Sequence, residues 1–465
     1  VLKEIPFGEF APSLAPSHSN HLTIAKNVRA LANGYAPVGA FGTVATTLGA
    51  AFVGGGSFIG SDGNSTLLGA TAAKLRKYSG SWIDVLAVAT TSRWYMTQFG
   101  DHVIYANGGQ LGSYDLIAST AGVIATAPTN AIDVATVRDF VMCLTDDSQV
   151  VWSGFNDSTF WTAGENQSDN QPLLDGGTGV RIVGGEYAIV LQKNSIRRVT
   201  YNGVPDIWFQ FDVISPEIGC MAAGSVCNMG RLIGFISERG FELCDGENVT
   251  PIGESINDWF FREYSRADIA NIWAAADPRR NEFVWVMPTG RALVYNLLFK
   301  RWTIIEGDFT AVLTGLTSST SIDALDLVYP SGIDSVPVSL DDPSLQGGNP
   351  LLLFVDSANA FGALSGTAMG AVIQQANIEL TPGRRSRIRG IRPVTDATTA
   401  TATLDARMRA GDAEGIVSAA SMRSNGKMPL RANGRYVNLA LTVPAGETWS
   451  YVQGCEYEFE AGDGR

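Results

Sequence analysis

The sequence predicts an all-β chain: a β-propeller of six or seven blade-like repeats with an N-terminal arm and a C-terminal antiparallel β module. Two observations carry this expectation. Strand-turn-strand units recur along the middle of the chain with their turns 40 to 51 residues apart, the length of a four-stranded propeller blade. Long runs of helical hydrophobic periodicity are few, whereas glycine is abundant at 51 of 465 residues, as a turn-rich β chain requires. A blade cannot bury both faces by itself, so a series of such units favours closure into a ring. A pair of unrelated β-sandwiches would also turn frequently, but it supplies no reason for the longer spacing.

Taken in order, residues 1–47 form the arm. Val1-Leu2-Lys3-Glu4-Ile5-Pro6 does not read as a secretory leader, because Glu4 and Pro6 interrupt any apolar stretch. No residue between Arg29 and Asp62 is charged. Pro37, the Gly54-Gly55-Gly56 run and many Thr and Ser argue against a membrane helix there. Residues 48–366 form the propeller. Its hairpins turn at Asn107-Gly108, Asp147-Ser148, Lys193-Asn194, Arg239-Gly240 and Thr289-Gly290, with weaker copies at Leu75 to Trp82 and from Leu351 to a turn near Asn359. Asn-Gly is the dipeptide that best tolerates two positive φ angles.

Two segments interrupt the repeat. Ser255 to Ala276 spaces Ile256, Trp259, Phe260 and Tyr264 as one face of an amphipathic helix, expected as an insertion covering a blade. Thr317 to Pro350, with Pro330, Pro337, Pro343 and Pro350, reads as a long loop suited to partner contacts. Residues 367–465 form a C-terminal β module or complete the ring, with alternating strands at Ala376 to Leu380, Ser386 to Ile391, Ala400 to Met408, Tyr436 to Val443 and Cys455 to Phe459. Period-two geometry places Arg385, Arg387 and Arg389 on one strand face, either as a solvated or subunit-contact face or as a phosphate-tracking stripe.

Composition narrows function by exclusion. A net charge of −13 lacks the basic face that phosphate neutralisation needs. There is no phosphate-binding Gly-x-x-x-x-Gly-Lys-Ser/Thr loop and no His-Glu-x-x-His pair. His18 and His21 have no third ligand nearby in the sequence. The five cysteines (Cys143, Cys220, Cys227, Cys244, Cys455) are odd in number, scattered and wrongly spaced for a zinc knuckle, and are expected as reduced core residues. Ser61-Asp62-Gly63-Asn64-Ser65-Thr66 lacks the spacing and aromatic of a sialidase Asp-box. No catalytic, cofactor or metal residue is assigned, and no enzyme activity is expected.

An ordered set of short stretches resembles the propeller-type tail nozzle or tail-tube proteins of short-tailed bacteriophages. It comprises Ile5-Pro6-Phe7-Gly8-Glu9-Phe10-Ala11-Pro12, Ala25-Lys26-Asn27-Val28, Gly34-Tyr35-Ala36-Pro37, Val151-Trp152-Ser153, Gln171-Pro172-Leu173 and Val183-Gly184-Gly185-Glu186-Tyr187. It continues through Gly219-Cys220-Met221-Ala222, Gly224-Ser225-Val226, Gly240-Phe241, Cys244-Asp245-Gly246, Ala276-Asp277-Pro278, Tyr295-Asn296 and Arg301-Trp302-Thr303. Pro382-Gly383-Arg384-Arg385, Leu430-Arg431-Ala432-Asn433-Gly434-Arg435-Tyr436 and Gly454-Cys455 complete it, while the Thr317 to Pro350 excursion departs from the pattern. The resemblance implies a virion structural protein, assembled in the host cytoplasm as a homohexameric ring. It would continue the DNA ejection channel below the portal and adaptor, touching tail fibre or needle proteins and passing double-stranded DNA non-specifically, with no small-molecule substrate and no cofactor. Competing expectations are a propeller-type adhesin or glycan-binding tail protein, using aromatic side chains to stack sugars, and a propeller glycosidase using two carboxylates.

Overall fold

The computed structural model describes residues 1–15, 20–205, 207–317, 348–412 and 415–462. The chain is an all-β protein built on a seven-bladed β-propeller. Blades 1 to 6 are each made from four consecutive antiparallel strands, beginning at Gly54–Ile59, Tyr95–Phe99, Ala131–Val137, Gly179–Val183, Cys227–Met229 and Trp273–Asp277. Blade 7 takes three strands, Phe309–Leu316, Pro350–Asp356 and Phe361–Ala368, and its fourth from the N-terminal region, Gly39–Ala45. A strand from the far end of the sequence thus closes the ring, which leaves no open seam between first and last blades.

The hairpins expected from turn chemistry join the second and third strands of blades 2 to 7; Leu75 to Trp82 instead joins the third and fourth strands of blade 1. Hydrophobic burial explains why the ring closes. Separate apolar clusters fill the gaps between neighbouring blades: Leu68 and Leu75 against Val103 and Tyr105 between blades 1 and 2, Phe140 and Trp152 against Phe209 between blades 3 and 4, and Ile305 against Phe354 between blades 6 and 7. Each blade therefore buries its second face only against a neighbour.

The C-terminal strands and the first strands of the chain form a β-sandwich fused to blade 6. One of its sheets contains Val452–Ala461 between Leu2–Pro6 and Ser386–Thr395 and carries the hairpin Val28–Leu31/Gly34–Pro37. The other runs Leu22–Lys26, Ala371–Gln375, Tyr436–Val443, Thr401–Arg407, Ile416–Ser421. Leu22–Lys26 also meets the outer strand of blade 6, Arg301–Glu306, in parallel, so blade and sandwich share one nine-stranded sheet. Residues 1–47 are accordingly distributed over the sandwich, its junction with blade 6 and blade 7. The uncharged stretch after Arg29 supplies the Gly34–Pro37 strand, the closing strand of blade 7 and the innermost strand of blade 1, and is exposed at 43–44, 46–47 and 49–51.

The expectation of one helix over Ser255 to Ala276 is corrected. Two short helices stand there, Asn257–Glu263 and Arg266–Ala270, and Trp273 already begins blade 6. Ser265 interrupts the helix: its side chain accepts from the Asp268 amide while Asp268 receives the Ser265 amide, a capping box that starts a second helix. Phe260 is buried against Phe241, with ring centroids 4.8 Å apart, so the first helix packs on blade 5. At Ala376 to Leu380, where a strand was expected, only Ile378 makes a bridge, to Val437.

Candidate functional site at the propeller axis

All seven innermost strands converge on a cavity of about 220 Å³. Its wall is mostly small and apolar, from Gly55 in blade 1 to Ala274 to Ala276 in blade 6, with a polar sector made by Tyr95, Asp133, Arg181 and Asn228. Local backbone irregularity places the charged pair. The register of blade 3 shifts between Ala131 and Asp133, and that of blade 4 between Gly179 and Arg181. Bulges re-aim side chains in this way, and here they bring an acid and a base from adjacent blades together at the axis.

Asp133 is 1% exposed, and two of the three hydrogen bonds it accepts come from blade 4. Its Oδ1 accepts from Arg181 Nη1 at 2.8 Å and from the Val134 amide at 2.9 Å, and its Oδ2 accepts from the Ile182 amide at 2.7 Å. Burial raises its pKa to about 6, against the opposing pull of Arg181 and the amides. The Arg181 guanidinium lies over the Tyr95 ring, 3.7 Å from its centroid. Beside them Arg93 donates to the Ile272 carbonyl at 2.6 Å and stacks over Trp273 at 4.1 Å. A Cβ at Gly224 would collide with that guanidinium and with the Ile272 carbonyl, so only glycine leaves Arg93 its path. The axis is thus occupied by protein side chains from several blades.

A second buried charge cluster joins the N-terminal hairpin to blade 6. Arg29, 12% exposed, pairs with Glu282, 2% exposed, near the Asp277–Arg280 pair at 3.0 Å. Burial lowers the Arg29 pKa and raises that of Glu282, each opposed by its partner's charge.

The residues singled out in the sequence fall mainly on packing. All five cysteines are free and buried, and burial pushes their thiols upward. His21 is buried, and His18 lies outside the described residues. Among the described residues no group of three His, Cys, Asp or Glu is placed to hold a metal, and no helix is long and apolar enough to cross a membrane. Arg387 and Arg389 are exposed on one face, but the neighbouring strand answers with acids. Arg387 stands opposite Glu460 and Arg392 opposite Glu456, and Arg389 pairs with Glu460 at 2.5 Å. Arg387, Arg389 and Arg392 thus face acids across the strand pair, while Arg385 lies exposed just before the strand.

Three glycines from the stretches that resemble the nozzle proteins occupy tight joints. Gly8 abuts the Asn20 carbonyl, Gly184 the Thr136 carbonyl, and Gly240 the Asn257 side chain, each without room for a Cβ. The axial Asp133–Arg181 pair was missed, since nothing in the sequence marks two residues 48 apart as partners until blade register is known.

No family model and no curated protein matches the chain. Among solved structures, similar ones include the extracellular domain of a one component system from B. thetaiotaomicron (TM-score 0.43, 11% identity, covering 76% of this chain and 43% of that one). BamB from Moraxella catarrhalis gives TM-score 0.38 and 12% identity over 78% of this chain and 96% of its own. BBS1N, solved in complex with ARL6DN, gives 0.42 and 12% over 72% and 99%. The chain spans less than half of the first of these. Similarity at this level carries no inference about function.

Proposed function

We propose that the protein is a structural component of a bacteriophage virion, a tail nozzle or tail-tube subunit that assembles as a homohexameric ring continuing the DNA channel below the portal and adaptor. The observation that carries this reading is the ordered set of nozzle-like stretches, which runs through propeller and sandwich alike. The narrow axis supports it further. With Tyr95, Asp133 and Arg181 across its centre, a single propeller offers no passage for a duplex, so the channel is assigned to the space between subunits. Closed cyclic symmetry is the economical way to build such a tube. An overall charge of −13 suits a wall from which DNA must slide. The chain acts without catalytic residues, cofactor or small-molecule substrate, and its partners are other copies, portal or adaptor, and fibre or needle proteins.

The test is assembly. Purified chain, alone and with adaptor, is imaged by electron microscopy; rings support the reading. Saturable binding on a glycan array by a chain that stays monomeric with adaptor would instead indicate an adhesin.

A further inference from the structure

Beside the axial cavity, whose lining charges Asp133 and Arg181 balance, stands a third charge, Arg93. Asp133 is engaged by Arg181 and two backbone amides. Among the described residues Arg93 has no carboxylate partner: its guanidinium donates to the Ile272 carbonyl, lies over the face of Trp273 and hydrogen-bonds the Tyr95 hydroxyl, and the other charge acting on it is that of Arg181. The Arg93 guanidinium sits among Gly224, Trp273 and Tyr95, all of which line the cavity. In the same sector, among the described residues, the O–H of Tyr95 and the Nε–H of Arg181 are buried donors with no acceptor. A half-buried guanidinium without a counter-charge is costly, and arginine forks suit planar or tetrahedral oxyanions.

We propose that the propeller axis binds a small oxyanion, a carboxylate or inorganic phosphate, held by Arg93 and Arg181 with the Tyr95 hydroxyl as a third donor. A cation does not fit, because both Asp133 oxygens already accept hydrogen bonds and the sector is net positive. The cavity, about 220 Å³, accommodates such an ion with water. A bound anion would tie blade 2 to blade 4 and rigidify the ring. This inference does not depend on the tail reading.

The experiment is calorimetric titration of the full chain with inorganic phosphate and, separately, acetate, at constant ionic strength, with tryptophan fluorescence followed in parallel. Saturable binding of at least one anion is expected, weakened about tenfold or more in Arg93→Met, with the far-UV spectrum retained. Tyr95→Phe, which removes one hydroxyl and keeps the ring beneath Arg181, should also weaken binding and decides the matter if Arg93→Met does not fold. Failure of both anions to saturate, or unchanged affinity in the variants that fold, would overturn the proposal.

Discussion

Replacing Arg29 by Met should destabilise the chain by about 3 kcal/mol, toward the low end of the range for breaking a buried ion pair. The structure sets that figure. Glu282 is 2% exposed, so without Arg29 its carboxylate is left in a site that cannot solvate it. Arg280 and Asn296 still act on Glu282, which keeps the loss from being larger. Methionine retains most of the aliphatic volume, so the loss reports the charge more than packing. Urea denaturation of wild type, Arg29→Met, Glu282→Gln and the double variant gives the coupling by a double-mutant cycle. The double variant should recover much of the stability, since no charge is then stranded. A single variant within about 0.5 kcal/mol of wild type, in the range of ordinary surface substitutions, would refute the view that this pair fastens the N-terminal hairpin to blade 6.

The remaining predictions concern pH and the long loop. Asp133, with its folded pKa raised to about 6, binds protons more readily in the native state than in the unfolded one. Its contribution therefore falls as pH rises from about 4 to 6, and wild type should lose roughly 2 to 3 kcal/mol relative to Asp133→Asn across that window. Parallel stability curves from urea melts would contradict this. Glu447 accepts from the amides and hydroxyls of Thr398 and Thr399, which hold its pKa at about 2. Its stabilising effect is present above the ordinary glutamate range and is lost as pH falls through about 2, and a carboxyl NMR titration with a midpoint near 4.5 would refute it. Deleting Asp334 to Gly348, of which 334–347 lie outside the described residues, should leave a folded monomer while weakening ring assembly. Leu316 opposite Pro350, and the Thr317 amide donating to Asn349 at 2.9 Å, already close the base of that loop. Unchanged ring formation would remove the loop from the subunit interface.

The repeat was legible because each hairpin carries its own turn chemistry, as at Asn107-Gly108 and Thr289-Gly290. The strand that closes the ring was not, because Gly39–Ala45 pairs with Phe361–Ala368 across most of the sequence, and local pattern says nothing about such a partner. The helix at Ser255 to Ala276 was overread for a related reason: hydrophobic spacing continues through Ser265, while the capping box there ends one helix and begins another. At the axis, Asp133 and Arg181 each look like ordinary strand residues. Their meeting depends on two bulges and on which blades are neighbours, and both are tertiary facts.

The central claim is most directly tested by cryo-electron microscopy of the purified chain assembled with its portal or adaptor ring. The account predicts a closed ring of six copies, with the continuous channel on the symmetry axis between subunits and every propeller axis narrowed by Tyr95, Asp133 and Arg181. A chain that remains monomeric with those partners, or a ring whose DNA path runs through a propeller's own centre, would contradict it.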